Sequence, residues 1–126
     1  MEKKVIIAKG GAPPVGPYSP GLKVGNLVFL SGQGPLDPKT KNIPKDFKEQ
    51  VKLTLDNLKA IVEAAGGTME NIVKTMVFLK DMDNFGSMND IYKTYFSDKP
   101  PARSCVEAAR LPLDIEVEID AIAYIP

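Results

Sequence analysis

The sequence contains no histidine and only one cysteine, Cys105, among its 126 residues. Without imidazole the chain cannot build a Ser-His-Asp or Cys-His catalytic group, and it has no histidine general base. A Cys/His zinc site within the chain is excluded as well. A single cysteine also excludes an internal disulfide and suits a reducing compartment. The remaining chemistry must come from carboxylates, guanidiniums, amines, phenols, one thiol and the backbone.

A charge bias and a long apolar run are also missing. The 16 basic and 16 acidic residues cancel, so no broad positive field would attract nucleic acid or acidic lipid. No apolar run is long enough to span a membrane, and the stretch before Lys9 has too few apolar residues for a signal peptide. Neither a GxGxxG motif nor a Walker A loop occurs. We therefore expect a cytoplasmic protein with one domain over residues 1–126.

Alternating apolar residues predict a series of short strands. They cover Lys3–Ala8, Leu22–Val24, Leu27–Leu30, Val73–Leu79, Arg103–Ala109 and Ile115–Ala123. In the fourth of these strands, one face is predicted to carry Val73, Thr75, Val77 and Leu79. The second and third strands are separated only by Gly25-Asn26, which is typical of a hairpin with a two-residue turn.

Two amphipathic helices are predicted between these strands. Asp46 can cap the first, which ends at Gly66-Gly67, and Asp83 can cap the second. Apolar residues recur at intervals of three and four in the first helix: Phe47, Val51, Leu55, Leu58, Val62 and Ala65. The stripe of the second is Phe85, Met88, Ile91 or Tyr92, and Tyr95 or Phe96. Two helices suffice to cover one face of one mixed sheet, which predicts an α+β fold.

The stretch Pro100–Ala123 concentrates the candidate functional groups. Arg103, Cys105 and Glu107 share one face of their predicted strand, because residues two apart point the same way. If this strand lies near the last one, a guanidinium, a thiol and a carboxylate could meet in one cleft. The last strand carries apolar residues on both faces, with Ile122 and Tyr124 beside acidic residues on the second. Because the helices cover one face only, we expect part of the other to meet another subunit.

Two loops could also contribute to a site. Residues 10–21 contain four prolines, which stiffen the loop and would hold Tyr18 in place. Gly32 and Gly34 follow a predicted strand, where glycines indicate either a bulge or a backbone that approaches a ligand closely.

Several motifs together resemble one known family. They are Gly16-Pro17-Tyr18-Ser19-Pro20, Leu30-Ser31-Gly32-Gln33, Asn57, Phe85 with Met88-Asn89, Tyr92 with Tyr95-Phe96, Pro101-Ala102-Arg103-Ser104-Cys105-Val106-Glu107 with Leu111-Pro112, and Val117-Glu118-Ile119 with Ala121. In this order, over about residues 5–125, they resemble the RidA (YjgF-type) reactive intermediate deaminases. The resemblance implies a chorismate-mutase-like fold and a homotrimer with sites in the clefts between subunits. It also implies hydrolysis of 2-aminoacrylate-type enamines and imines to 2-keto acids and ammonia, with no metal or organic cofactor.

The resemblance assigns candidate site residues one by one. Arg103 matches the ligand of the substrate carboxylate, and Glu118 is the acid expected to position and partly deprotonate a water. The other matched pocket positions are Tyr18, Ser31, Gly32, Asn89 and Cys105. Some family members carry Gly where Asp114 stands and an apolar residue where Glu116 stands.

Residue chemistry favours some roles over others. Arginine suits Arg103 because its planar fork grips a carboxylate with two charge-assisted hydrogen bonds. A nucleophilic role for Cys105 would need a lowered pKa, and no imidazole is present to take the proton, so we expect a pocket wall. By pattern alone, Glu118 is one of three acids on a strand face, and Asn89 is only a polar helix position.

Two other functions remain open from the sequence. One is an endoribonuclease, an activity also attributed to this family, although the chain has neither histidine nor a basic stripe. The other is a non-catalytic trimeric protein that binds a small carboxylate ligand through Arg103.

Overall fold

The computed structural model describes residues 2–11 and 14–126, so Ala12 and Pro13 of the predicted stiff loop lie outside the described residues. The strands are β1 (Lys3–Ile6), β2 (Gly21–Val24), β3 (Leu27–Gln33), β4 (Ile72–Leu79), β5 (Ala102–Glu107) and β6 (Val117–Tyr124). The helices are α1 (Phe47–Ala64) and α2 (Phe85–Tyr92). The predicted α+β class with two helices is confirmed.

The six strands form one mixed sheet in the order β1-β2-β3-β6-β4-β5. All neighbouring pairs are antiparallel except β4 and β5, which are parallel. The predicted hairpin is present, since Val24 pairs with Leu27 and Gly25 adopts the positive φ of 60° that a tight turn requires. The consequence for the site is that β4 separates β5 from β6.

The two faces of the sheet differ in what covers them. One face carries Thr75, Val77 and Ile119, all fully buried, and α1 and α2 pack on it, so we call it the helix-covered face. The other carries Phe78 and Glu118, which are partly buried, and Phe29, which is exposed, and we call it the open face. The alternation of apolar residues decides which side chains reach each face.

Helix α1 supplies most of the core opposite the sheet. Its predicted apolar stripe is buried or packed against the core. Asp46 caps the helix as predicted, with its Oδ2 accepting a hydrogen bond from the Glu49 backbone N–H at 3.0 Å. Asn57 donates to the carbonyls of Gly34 and Leu36, at 2.9 and 3.0 Å, and so fixes the segment that follows β3.

Several predicted strand ends were wrong because the neighbouring strand ends first. β1 stops at Ile6, not Ala8, since Ile6 pairs with the first residue of β2. Leu79 ends β4, and it pairs with both Glu107 and Val117. β5 therefore ends before Ala109, and β6 begins after Ile115.

Two further predictions about β4 and α2 were wrong. Val73 does not share the buried face of Thr75, Val77 and Leu79 as predicted. The β4–β6 register shifts between Ile72 and Lys74, so Val73 is 48% exposed and Ile72 is buried in its place. Asp83 does not cap α2. Asp81 instead caps a short 3₁₀ turn, Met82–Asn84, that precedes the helix.

Candidate functional site

Arg103 projects from β5 towards α2 on the helix-covered face. It pairs with Thr75 of β4, which is fully buried on that face. Its Nη1 donates to Asn89 Oδ1 at 2.8 Å and lies 3.9 Å from the Met88 sulfur. Strand pairing fixes the backbone of Arg103, while α2 fixes its guanidinium.

Two aromatic rings of α2 complete the contacts of this guanidinium. Its carbon lies 4.8 Å from the centre of the Tyr92 ring and 5.4 Å from that of Phe85. The Tyr92 hydroxyl shares a buried 2.8 Å hydrogen bond with Thr75 Oγ1, so the ring cannot rotate freely. Burial raises the pKa of the Tyr92 hydroxyl, which stays protonated and neutral beside the cation. We call Arg103 with Phe85, Met88, Asn89 and Tyr92 the arginine cluster.

Cys105 lies two residues after Arg103 on the same face of β5 and is partly buried. Burial raises the pKa of its thiol, and the positive charge of Arg103 offsets this only in part. The thiol is therefore protonated at neutral pH, which disfavours a thiolate nucleophile, and the role of pocket wall stays a prediction. Glu107, the carboxylate predicted to share this face, accepts from the Met82 backbone N–H at 2.8 Å.

Glu118 lies on the open face, where it pairs with Phe78 of β4. Burial raises the pKa of its carboxyl, and the negative charge of neighbouring Asp120 raises it further. The β3–β6 register shifts between Leu30 and Gln33, which confirms the bulge that the glycines predicted. The shift brings Gly32 against Glu118: a Cβ at Gly32 would stand 2.7 Å from Glu118 Oε2.

Ser31 joins the loop before β2 to strand β3. Its hydroxyl donates to the Ser19 carbonyl at 2.7 Å, and its backbone N–H donates to the Pro20 carbonyl at 2.9 Å. These bonds tether the segment that carries Tyr18, whose side chain is 46% exposed. The structure thus gives Ser31 a structural task in addition to its predicted place in a pocket.

Four of the predicted site residues line one cleft of about 900 Å³: Tyr18, Ser31, Gly32 and Glu118. We call it the Glu118 cleft. Arg103, Asn89 and Cys105 lie on the helix-covered face instead. Thr75, which pairs with Arg103, and Phe78, which pairs with Glu118, are three residues apart on β4 and so point to opposite faces. One copy of the chain therefore does not bring the guanidinium and the carboxylate into one cleft.

Some residues of the site were missed from the sequence. Phe85 and Tyr92 were assigned to an apolar stripe, yet both stack on Arg103. The spacing of Phe85, Asn89 and Tyr92 along α2 was the available signal, since positions i, i+4 and i+7 share one helix face. Leu113, which also lines the Glu118 cleft, gave no signal in the sequence.

Within 2–11 and 14–126, no three His, Cys, Asp or Glu side chains are grouped so that they could hold a metal ion. In the same part of the chain, no helix combines the length and the apolar character needed to cross a membrane.

Comparisons with known proteins give a consistent result. The model of the family described as Endoribonuclease L-PSP matches residues 10–125. A RutC family protein of Pyrococcus abyssi is 48% identical over 125 residues, covering 98% of each chain. The 2-iminobutanoate/2-iminopropanoate deaminase of Escherichia coli is 47% identical over 123 residues, covering 95% of this chain and 96% of that one. The crystal structure of E. coli TdcF with bound serine matches with a TM-score of 0.93 and 43% identity, over 98% and 99% of the two chains.

Proposed function

The chain belongs to the Endoribonuclease L-PSP family, also called the YjgF/RidA family, and from this premise we propose that it is a 2-iminobutanoate/2-iminopropanoate deaminase. It would hydrolyse reactive enamine and imine intermediates of the 2-aminoacrylate type to 2-keto acids and ammonia. The observation that carries the proposal is Glu118, a half-buried carboxyl with a raised pKa, held against Gly32 in a cleft. A general acid–base residue needs a pKa moved towards the working pH.

Arg103 supplies the substrate grip in this proposal. The α-carboxylate of an imino acid offers two oxygens, which a guanidinium binds with two parallel charge-assisted hydrogen bonds. Asn89 and the two aromatic rings hold the guanidinium in place before the substrate arrives. The bound serine in the TdcF structure is consistent with a small ligand that carries this carboxylate.

Glu118 handles the protons of the hydrolysis. The enamine first tautomerises to the imine, whose carbon is electrophilic. The imine reacts in its protonated form. Glu118 takes a proton from a water as the water oxygen bonds to the imine carbon and the C=N π electrons move to nitrogen, which gives a neutral tetrahedral carbinolamine. The protonated Glu118 then gives this proton to the amine nitrogen. The carbinolamine hydroxyl returns its proton to Glu118 as the C=O bond forms and the C–N bond breaks, and the products are the 2-keto acid and ammonia, which carries the last proton away as ammonium.

Both groups can serve one substrate only if two copies of the chain share the site. Arg103 lies on the helix-covered face and Glu118 on the open face of the same chain. The open face also exposes Leu27, Phe29 and Tyr124, each 42% exposed, which suits contact with another copy. We propose a homotrimer in which the Arg103 side of one copy meets the Glu118 cleft of the next.

The remaining predicted residues would shape the pocket. Tyr18 would close the Glu118 cleft against bulk water, while the backbone at Gly32 approaches the reacting atoms. Cys105 would form part of the wall beside Arg103. Asn89 would act through Arg103, because its side-chain oxygen is already occupied by the guanidinium.

The test is hydrolysis of an imine made in the assay. A pyridoxal-phosphate dehydratase releases 2-aminoacrylate from serine or the corresponding enamine from threonine, and keto-acid formation is followed with and without the protein. A rate well above the spontaneous one supports the proposal. Cleavage of RNA without imine hydrolysis would favour the ribonuclease, and ligand binding with neither reaction would favour the carboxylate-binding protein.

A further inference from the structure

Leu113 adopts a backbone conformation that its side chain disfavours. It has φ 59° and ψ 19°, and Asp114 follows with φ 54°. In this left-handed region Cβ crowds the backbone, so residues other than Gly, Asn and Asp are uncommon there. The Leu113 side chain is also 64% exposed, although it is large and apolar. Such a residue persists only where its surroundings hold it, and residues of this kind cluster at functional sites.

The turn is held from both ends. Leu111 and Ile115 are buried, and they flank the three residues that project from the surface. The Asp114 and Ile115 backbone N–H groups donate to the carbonyls of Leu111 and Pro112, at 3.2 and 3.3 Å. The Arg110–Asp114 ion pair contributes little, because both side chains are mostly exposed. The buried anchors therefore impose the conformation that presents Leu113.

Leu113 lines the cleft that holds the group proposed to do the chemistry. It lines the same cleft as Glu118 and Tyr18, and Val15, which is 85% exposed, lines it as well. The cleft thus has apolar wall residues as well as a carboxylate. Arg103 and Glu118 would engage the carboxylate and the imine, which every 2-imino acid has. What differs between these substrates is the side chain, and an apolar wall is what can recognise it.

We propose that Leu113 is a specificity-determining residue that contacts the side chain of the imino acid and favours longer aliphatic side chains. The inference rests on the proposed deaminase function. It goes further because it names the residue that would select among 2-imino acids by their side chains.

The experiment compares two imines on the full-length protein. 2-Iminopropanoate comes from serine as above, and the imine of leucine is made by an L-amino acid oxidase with catalase present. Leu113→Ala removes most of the side chain and keeps the strained backbone, whereas Leu113→Gly removes both. Each variant should lower kcat/KM for the leucine imine by about tenfold or more, as expected for lost methylene contacts. For 2-iminopropanoate the change should stay within about twofold.

Asp114→Gly is the matched control, since it relieves the same backbone conformation one residue later and does not line the cleft. Its ratio of kcat/KM for the two imines should equal that of the wild type, and neither glycine variant should have a lower Tm. An unchanged ratio in both Leu113 variants overturns the inference while the deaminase stands. So does a changed assembly mass with an unchanged ratio, which would assign Leu113 to a subunit contact. A wild-type protein that hydrolyses neither imine instead removes the proposed function, and the inference with it.

Discussion

The guanidinium of Arg103 is held by a cation–π contact on Tyr92 and a 2.8 Å hydrogen bond to Asn89. A lysine ammonium would keep the charge but could not donate two parallel hydrogen bonds from one plane, so Arg103→Lys should lose most of the activity of the wild type. Arg103→Ala should lower kcat/KM for 2-iminopropanoate by at least about a hundredfold, because two charge-assisted hydrogen bonds worth about 1.5–3 kcal/mol each are lost. Steady-state kinetics on imine generated in the assay measures both variants.

Arg110→Lys is the control for this pair of variants. Among the described residues, the polar contact of Arg110 is an exposed ion pair with Asp114, so its replacement should leave kcat/KM unchanged. Near-normal turnover by Arg103→Lys would show that a positive charge alone suffices to bind the substrate carboxylate. It would contradict the proposal that the guanidinium binds through two parallel hydrogen bonds.

Glu118 should lower the stability of the folded protein at neutral pH, although it is needed for activity. Its pKa is raised in the folded protein, so the folded state binds the proton more tightly than the unfolded state does. The ionised carboxylate therefore costs stability at neutral pH, and this cost vanishes below the unfolded pKa of about 4.3. Glu118→Gln should raise Tm at pH 7 and lose nearly all activity, and its Tm gain should shrink as the pH falls towards about 4. Glu116→Gln is the control, and it should neither raise Tm at pH 7 nor lower the activity. A lower Tm for Glu118→Gln at pH 7 would contradict the argument.

Cys105 should be dispensable for the chemistry. Burial keeps its thiol protonated, and the imine needs water as its nucleophile. Cys105→Ser, which is similar in size, should keep substantial kcat/KM, whereas Glu118→Gln should not. Alkylation of the thiol can still inhibit by filling the pocket. A dead Ser variant beside an active Gln variant would reverse the two roles.

Among the elements, strand β3 owes its function to its bulge. The bulge brings Gly32 so close to Glu118 that an added Cβ would stand 2.7 Å from Oε2. Gly32→Ala should therefore displace the carboxylate and lose activity in the imine assay, and any loss of Tm should be small because Glu118 is only partly buried. A fully active Gly32→Ala would mean that the close approach has no role.

Gly86 in α2 provides the opposite case. A Cβ there meets nothing within 4 Å, and the position lies on a helix surface. Gly86→Ala should stabilise the protein by about 0.5–1 kcal/mol and leave catalysis unchanged. Thermal unfolding and the imine assay, applied to both glycine variants, together separate a glycine that serves the site from one that does not.

Sequence periodicity predicted burial correctly where apolar residues recur at the regular spacing of a helix or a strand. The apolar stripe of α1 and the alternation of β6 predicted which residues are buried, because burial follows directly from geometry within one element. Val73 was misassigned because the bulge in β4 depends on its pairing with β6. The N-terminus of α2 was misassigned because Asp81 and Asp83 are equally good caps by pattern.

At the scale of the whole molecule, the order of the strands decides how the site is built. Residue types and family motifs identified Arg103 and Glu118 as candidates, but no local pattern shows that β4 enters between β5 and β6. Pairing across the sheet is a long-range property, and it places the two groups on opposite faces. The sequence could therefore predict the parts of the site, and the resemblance implied sites between subunits, but neither showed that Arg103 and Glu118 lie on opposite faces of the sheet.

The placement of Arg103 and Glu118 on opposite faces of one chain predicts that several copies of the chain assemble. With apolar side chains exposed on the open face, the protein should form trimers in dilute solution. Light scattering at micromolar concentration should give three times the mass of one chain. The mass of a single chain would leave Arg103 and Glu118 without a shared substrate, and would contradict the proposed site.

Mixing two inactive variants tests the shared site most directly. Arg103→Ala and Glu118→Gln are each expected to be inactive, but in mixed assemblies some sites combine an intact Arg103 from one copy with an intact Glu118 from another. With equal amounts and random exchange, about a quarter of the sites are whole, so imine hydrolysis should recover to about a quarter of the wild-type rate. Mixed assemblies that are verified by mass and remain inactive would show that the two residues do not act on one substrate across subunits.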